Sequence, residues 1–534
     1  MRKIIQRNLI VILTLAVVSC KSESKNNMVV AKEQKSDTIN NVEKQYRPTF
    51  HFSPKNGWMN DPNGMFYYNG YYHLYFQHYP DDSKWGPMHW GHAISMDMIT
   101  WKEQPIALYP DDLGYIFSGS AVVDIENTSG LSTENKIPVV SIFTHHDMLA
   151  DKAGKVIDET QSIAYSLDEG VTFKKYEGNP VIENPSIPDF RDPKVSWHEE
   201  SKQWILALAA GQEVMFYASK DLKKWDFASK FGQGIGNHDG VWECPDLFPL
   251  PVQNKENTKW VLLVSINPGG PNIGSATQYF VGDFDGKTFT IDETFQQEQS
   301  SEHNFWLDYG PDNYAGVTWS NATTSKGGKL YIGWMSNWLY ANEVPTEHWR
   351  GATTIARELG LIHDGKTYRL ISSPVRELEG YRSKKVADTN ISVEGKTVLT
   401  TAKTISLSNT EINFNIENVM QGNYTFTLAN TQGDELKFGF DAEEGLFFLD
   451  RSNSGKTDFS ENFTTLARAP RTSSSNNLDA KIILDKTSIE LFYDEGQTVM
   501  TGIFFPNAPF ETLTIESNID KFTLTNLEMH ELKF

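Results

Sequence analysis

Five apolar, β-rich runs recur along the chain at near-regular intervals, and this repeat limits the possible folds more than any other feature. They read YYHLYFQHY from Tyr71, VVSIFTHH from Val139, WILALAAG from Trp204, WVLLVSIN from Trp260 and LYIGWMSNW from Leu330. Successive runs begin 68, 65, 56 and 70 residues apart. Their length and their Val, Ile, Tyr and Trp content favour buried strands over helices. A second phrase follows the first four runs in phase: SMDMITW (95–101), SLDEGVTF (166–173), SKDLKKW (219–225) and GDFDGKTF (282–289). Each sets an Asp ahead of an aromatic, the pattern of a turn between two strands. Five strand-rich units of roughly 65 residues predict an all-β chain built on a five-bladed β-propeller over residues 46–371.

The chain has 534 residues, so more than one domain is expected. The repeats stop near Leu361, and SSPVRELEGYR leads into a linker over 372–385 that could hold a short helix. Beyond it, segments such as YTFTLANT, LKFGFDAEEGLFFLD and SIELFYDEG alternate apolar and polar residues, which predicts a β-sandwich over 386–534.

The first twenty residues carry Arg2, Lys3 and Arg7 ahead of an apolar run from Leu9 to Val18. That run is too short to span a bilayer and reads as a secretory signal over 1–20. It ends VVSC, similar to a bacterial lipobox with Val17 where most have Leu, so Cys20 is the expected lipidation site. A simple cleaved signal is the alternative. Residues 21–45 are polar and read as a flexible tether. An envelope protein held by a lipid anchor is the expectation, with no other membrane attachment. Only one further cysteine exists, Cys244, so with Cys20 used by the anchor no intrachain disulfide is expected. A formal charge of −21 argues against nucleic acid as a partner. Aromatics reach 12% of the chain, and Trp and Tyr suit both strand cores and sugar-binding surfaces.

In a propeller the innermost strand of each blade lines the axis, so residues just ahead of each repeated run should face it. Asp61 precedes the first run and Ser118 the second. Arg191 and Asp192 precede the third, Trp242, Glu243 and Asp246 the fourth, and YAGVTW, ending at Trp319, the fifth. Three blades thus send a carboxylate toward one point. Acids gathered among aromatics, without a His/Cys ligand cluster, suit glycosidic bond cleavage. One acid protonates the leaving oxygen and another attacks the anomeric carbon or activates water. Trp242, Pro245, Leu247 and Phe248 flank Glu243 and predict a neutral acid there. Asn60, Asn63 and the turn donors around Asp61 predict an ionised carboxylate, and Arg191 should keep Asp192 charged. His145–His146 has no acid or Cys at metal-ligand spacing, so no metal site and no cofactor are expected.

WMNDPNG (58–64), FSGS (117–120), RDPKV (191–195) and WECPD (242–246) stand in the order found in family 32 glycoside hydrolases, the β-fructofuranosidases. HLYFQ, WGPMHWGHA and WMSNW also resemble blocks of that family. The resemblance runs from about residue 46 to the C-terminus. It implies a five-bladed propeller joined to a β-sandwich, hydrolysis with retention, and a fructan (levan or inulin) or sucrose as substrate. It also implies Asp61 as nucleophile, Glu243 as general acid/base and Asp192 as transition-state stabiliser. Trp58, Asn60, Gln77, Trp85, Phe117, Ser118 and Arg191 match positions around the terminal fructose. Trp334 is the expected fifth-blade Trp, with Trp319 as the alternative. A pocket closed by axial residues favours release of fructose from chain ends. Two other readings stay open: an inverting, arabinan-type glycosidase on the same propeller, and a non-catalytic fructan-binding surface lipoprotein.

Overall fold

The computed structural model describes residues 45–534 apart from 134, 148–152, 154–158, 254, 303–304 and 464. The signal segment with Cys20, and all but the last residue of the tether, lie outside the described residues. Among the described residues, the strands form five sheets of four or five strands and two of six. The first five are the blades of a propeller. Its innermost strands are Gly57–Tyr68, Tyr115–Val123, Phe190–His198, Val241–Pro251 and Tyr314–Thr318. Each contacts the innermost strand of the next blade, and the fifth contacts the first, so the ring closes.

The repeated apolar runs are the second strand of every blade. Neighbouring blades cover both faces of these strands, which is why Val139–His146 is buried throughout instead of alternating. The fourth strands lie at the rim; Lys102–Leu108 is mostly half-buried or exposed. The in-phase Asp phrases are the turns between third and fourth strands. Asp97 accepts from the backbone N–H of Ile99 and Thr100, Asp221 from Lys223 and Lys224, and Asp285 from Lys287 and Thr288. A short carboxylate that satisfies two turn amides explains why the same residue recurs at each corner. Trp349–Arg350 pairs in parallel with Gly57–Trp58 and ties the fifth blade to the first.

One irregularity is common to all five innermost strands. At one point in each, two residues stand opposite one residue of the second strand. The doubled residues are Asn60–Asp61, Phe117–Ser118, Asp192–Pro193, Cys244–Pro245 and Ala315–Gly316. Such a bulge bends the strand and re-aims its side chains. Asp192, Cys244 and Ala315 pay for it with left-handed backbones at φ 64°, 46° and 52°.

A 3-10 helix at Arg376–Tyr381 leads from the last blade strand, Tyr368–Pro374, into the sandwich, whose two six-stranded sheets begin with Arg382–Val393 and Thr397–Thr401. The domains share a buried ionic network. Arg357 of the fifth blade donates from Nε to Glu490 at 3.0 Å and from Nη1 to Asp308 at 2.9 Å. His51 bridges Asp485 at 2.9 Å and Glu490 at 2.8 Å. The Ile355 backbone N–H donates to the same Glu490 carboxylate at 2.7 Å.

Candidate active site

The five bulges lie around one end of the propeller axis and open a pocket of about 610 Å³. All five blades line it, through Asn60, Asp61, Gln77 and Trp85 of the first, Phe117 and Ser118 of the second, Arg191 and Asp192 of the third, Glu243 of the fourth and Trp338 of the fifth. A larger cavity, about 670 Å³, lies at the other end of the innermost strands, lined by Lys194, Asp246 and Trp319 among others. That one lacks the three converging acids.

Asp61 is held from two sides. Asn60 Nδ2 donates to Oδ1 at 2.8 Å and Ser118 Oγ to Oδ2 at 2.8 Å. Asn60 is itself fixed by Trp58 Nε1, which donates to its Oδ1 at 2.8 Å. Asp192 Oδ2 accepts from the Cys244 backbone N–H at 3.0 Å. The buried Cys244 thiol lies between the two aspartates, 3.5 Å from Asp192 and 3.7 Å from Asp61. Glu243 is gripped at both oxygens. Arg191 donates to Oε1 from Nε at 3.1 Å and from Nη2 at 3.0 Å, and the Tyr314 hydroxyl donates to Oε2. Arg191 also reaches Asp189 at 2.6 Å and Glu159 at 3.4 Å.

The charges do not balance. Burial pushes the Asp61 carboxyl up, and the nearby Glu243 pushes it further, outweighing the donors Asn60 and Ser118. Burial raises Asp192 as well, with Glu243 and Asp61 adding to it, while Arg191 pulls the other way without prevailing. Both carboxyls are thus raised relative to an ordinary aspartate, whereas the donors around Asp61 and the guanidinium beside Asp192 would by themselves lower them. The local donors are present, but burial, reinforced by acids arriving from other blades, outweighs them. The apolar cradle expected for Glu243 is corrected. Trp242 is fully buried and turned away, its Nε1 donating to the Asn237 carbonyl at 2.8 Å, because successive strand residues face opposite sides. What Glu243 meets instead is Arg191 and Tyr314.

Other expected residues fall into two groups. Gln77, Trp85 and Phe117 line the pocket. Gln77 stands opposite the first bulge, and its buried Nε2 has no hydrogen-bond partner among the described residues, which leaves a donor facing the site. Trp85 is 37% exposed and meets Phe117 edge to face, and Phe117 stacks on His146 at 4.1 Å. Trp58 and Trp334 do not line the pocket. Both are buried, packed against each other and under Trp338, which is the fifth-blade tryptophan that does. Trp334 ends the second strand, whereas Trp338 lies in the segment after it, which folds back over the mouth. There the Asn342 side chain accepts from the Trp85 backbone N–H at 2.9 Å. Trp319 belongs to the opposite end, donating to the His73 carbonyl. Tyr314 was missed by sequence reasoning, although it begins the YAGVTW stretch ahead of the fifth run. His145 contacts Ser162 and Asp111. Among the described residues no three His, Cys, Asp or Glu side chains are grouped to hold a metal ion.

Comparison with known proteins gives concordant results. The model for the glycosyl hydrolases family 32 N-terminal domain matches residues 51–374, and that for the family 32 C-terminal domain matches 377–531. The chain is 44% identical over 497 residues to the levanase of Bacillus subtilis (strain 168), covering 92% of this chain and 71% of the relative. It is 38% identical over 498 residues to the extracellular exo-inulinase of Aspergillus awamori, covering 88% and 91%. The β-fructofuranosidase of Schwanniomyces occidentalis, solved with fructosyl-erythritol, superposes with a TM-score of 0.81 at 33% identity, covering 92% and 99%.

Proposed function

The chain belongs to glycosyl hydrolase family 32 and hydrolyses fructosidic bonds in fructans or sucrose, and from that premise we propose the roles of its axial residues. Asp61 attacks the anomeric carbon of a β-fructofuranoside, Glu243 protonates the departing oxygen, and a fructosyl ester forms on Asp61. Glu243 then takes a proton from the water that cleaves this ester, so configuration is retained. Asp192 faces the positive charge that builds at the anomeric carbon.

The observation that carries this reading is the excess of carboxylates. Asp61, Asp192 and Glu243 share one pocket with a single guanidinium, and their mutual repulsion is unfavourable in the empty site. It turns into attraction as the sugar ring becomes cationic. A site that binds the transition state better than the ground state is a catalyst, and a fructan-binding protein has no use for that feature. Gln77, Asn60, Ser118 and Arg191 supply hydroxyl contacts, with Trp85, Phe117 and Trp338 around the mouth. A pocket enclosed by all five blades favours attack at a chain end.

Incubation with sucrose, inulin and levan, followed by separation of the products, tests this reading. Fructose as the sole early product supports exo-attack, and a ladder of oligosaccharides contradicts it. The extracellular relatives fit a secreted or extracellular protein, and we place its anchor at Cys20. A diacylglyceryl group on the mature N-terminal cysteine, sought by mass spectrometry, is the check.

A further inference from the structure

Arg191, Glu243 and Tyr314 hold the same position in three consecutive blades: each is the last paired residue before its strand's bulge. That shared phase brings them into contact as a chain, guanidinium to carboxylate to phenol. A carboxylate offers about four lone pairs. Two N–H groups of Arg191 converge on Oε1 of Glu243, and the Tyr314 hydroxyl occupies one side of Oε2. One lone pair, on Oε2, is left.

We propose that Tyr314 is a positioning residue for the general acid/base: by filling one side of Oε2 it restricts the catalytic proton to the remaining lone pair and aims it at the glycosidic oxygen. This rests on Glu243 as the acid/base. When Glu243 gives its proton to the leaving oxygen, the C–O bond electrons pass to that oxygen and the negative charge appears on Glu243. The Tyr314 O–H then donates to that carboxylate as it forms. When the carboxylate next accepts a proton from the attacking water, the same lone pair receives it.

The phenol suits this task. Tyr314 is fully buried, and burial together with Glu243 pushes its pKa well above the ordinary tyrosine value, so it stays a hydroxyl donor throughout. Its aim is set by the backbone: Ala315, the next residue, is left-handed, and the adjacent Gly316 leaves no room for a side chain beside the Tyr331 ring. The charged and titratable groups around Glu243 are Arg191 and Asp192 from the third blade, Asp61 from the first, Cys244 on its own strand and Tyr314 from the fifth. Asp189 and Glu159 act through Arg191.

Tyr314→Phe removes one oxygen and keeps the ring. A donor to the ionised carboxylate favours the charged form, and losing it should move the alkaline limb of the kcat/KM profile up by about one pH unit. Turnover of sucrose should fall roughly tenfold to a hundredfold, and that of an aryl fructoside with a good leaving group far less, since proton delivery matters little there. Introducing 3-fluorotyrosine at position 314 gives a stronger donor of nearly the same shape, and the alkaline limb should move down. An unshifted limb in both proteins, with equal losses on both substrates, overturns the proposal. Glu243→Ala, run in parallel, separates the two levels. If it lacks leaving-group dependence, the acid/base assignment itself fails; if it shows it while Tyr314→Phe does not, only the role of Tyr314 fails.

Discussion

The axial acids and the ionic network at the domain boundary differ in how their charges are matched. At the axis, three carboxylates meet one arginine, and Asp61 and Asp192 are pushed above the ordinary carboxylate range. At the domain boundary, Arg357 and His51 alternate with Asp308, Asp485 and Glu490. There the acids Asp485 and Glu490 are held below their ordinary range, and His51 is raised to about 9. The boundary groups are fully enclosed, whereas Arg191 and Glu243 keep one side open to the pocket. Pairing separates the two further: the boundary cluster is satisfied and ties the two domains together, whereas the axial cluster carries an unmet demand for positive charge. A substrate that becomes cationic meets that demand.

The largest expected effect breaks the comparison on its catalytic side. Asp61→Asn should lower turnover by about four orders of magnitude or more. It should also raise the thermal unfolding midpoint, because one buried like charge is gone, worth about 0.5–2 kcal/mol. A midpoint that falls instead would mean that the axial acids stabilise the fold. Next in size, Glu490→Ala leaves Arg357 and His51 buried without their shared partner and should cost about 3–5 kcal/mol in denaturant unfolding. Turnover per folded molecule should be unchanged, and a lasting drop in kcat would show that the boundary reaches the site.

The effect of pH sharpens the contrast through its sign. His51 has a folded value above its unfolded 6.5, so its stabilisation is complete below about 6.5 and is lost as pH rises through about 9. Asp485 and Glu490 are lowered, so their share is lost as pH falls below the carboxylate range. Asp61 and Asp192 are raised, so their cost is absent in acid and grows as pH rises. Melting curves of His51→Gln should therefore lose the alkaline decline seen in the parent, while Asp192→Asn should flatten the slope between acid and neutral pH. The smallest effect concerns the mouth. Trp338→Ala should raise KM about tenfold with kcat nearly unchanged, since the ring lines the pocket and holds none of the three carboxylates. Trp334→Ala should instead destabilise the fold as any buried aromatic deletion does.

Much of this was legible in the sequence because the determining features are local and repeated. The second strands are continuous apolar runs, the corner aspartates satisfy their own turns, and Asp61, Asp192 and Glu243 each lie a short way ahead of a run, by 10, 12 and 17 residues. Tyr314 stands 16 residues ahead of the fifth run, yet an aromatic there reads more readily as packing, and Trp319 at the end of the same stretch is the more conspicuous residue. Trp338 was obscured because the segment after the fifth run folds back over the mouth, a path that no periodicity encodes. The upward shift of Asp61 and Asp192 is hidden in the sequence for a different reason. Sequence neighbours such as Trp242 and Asn60 suggest one environment, but strand alternation turns Trp242 away, and Glu243, which adds to the effect of burial on Asp61, comes from a blade more than 100 residues distant.

The central claim is that Asp61 attacks the anomeric carbon, so the fructosyl group is transferred with two inversions. Methanolysis tests it most directly, because methyl fructosides do not mutarotate. With sucrose and added methanol, NMR of the early product should show methyl β-fructofuranoside, the retained anomer that a double displacement yields. Methyl α-fructofuranoside as the initial product would mean that methanol attacks directly, and the assignment of Asp61 as nucleophile would be wrong.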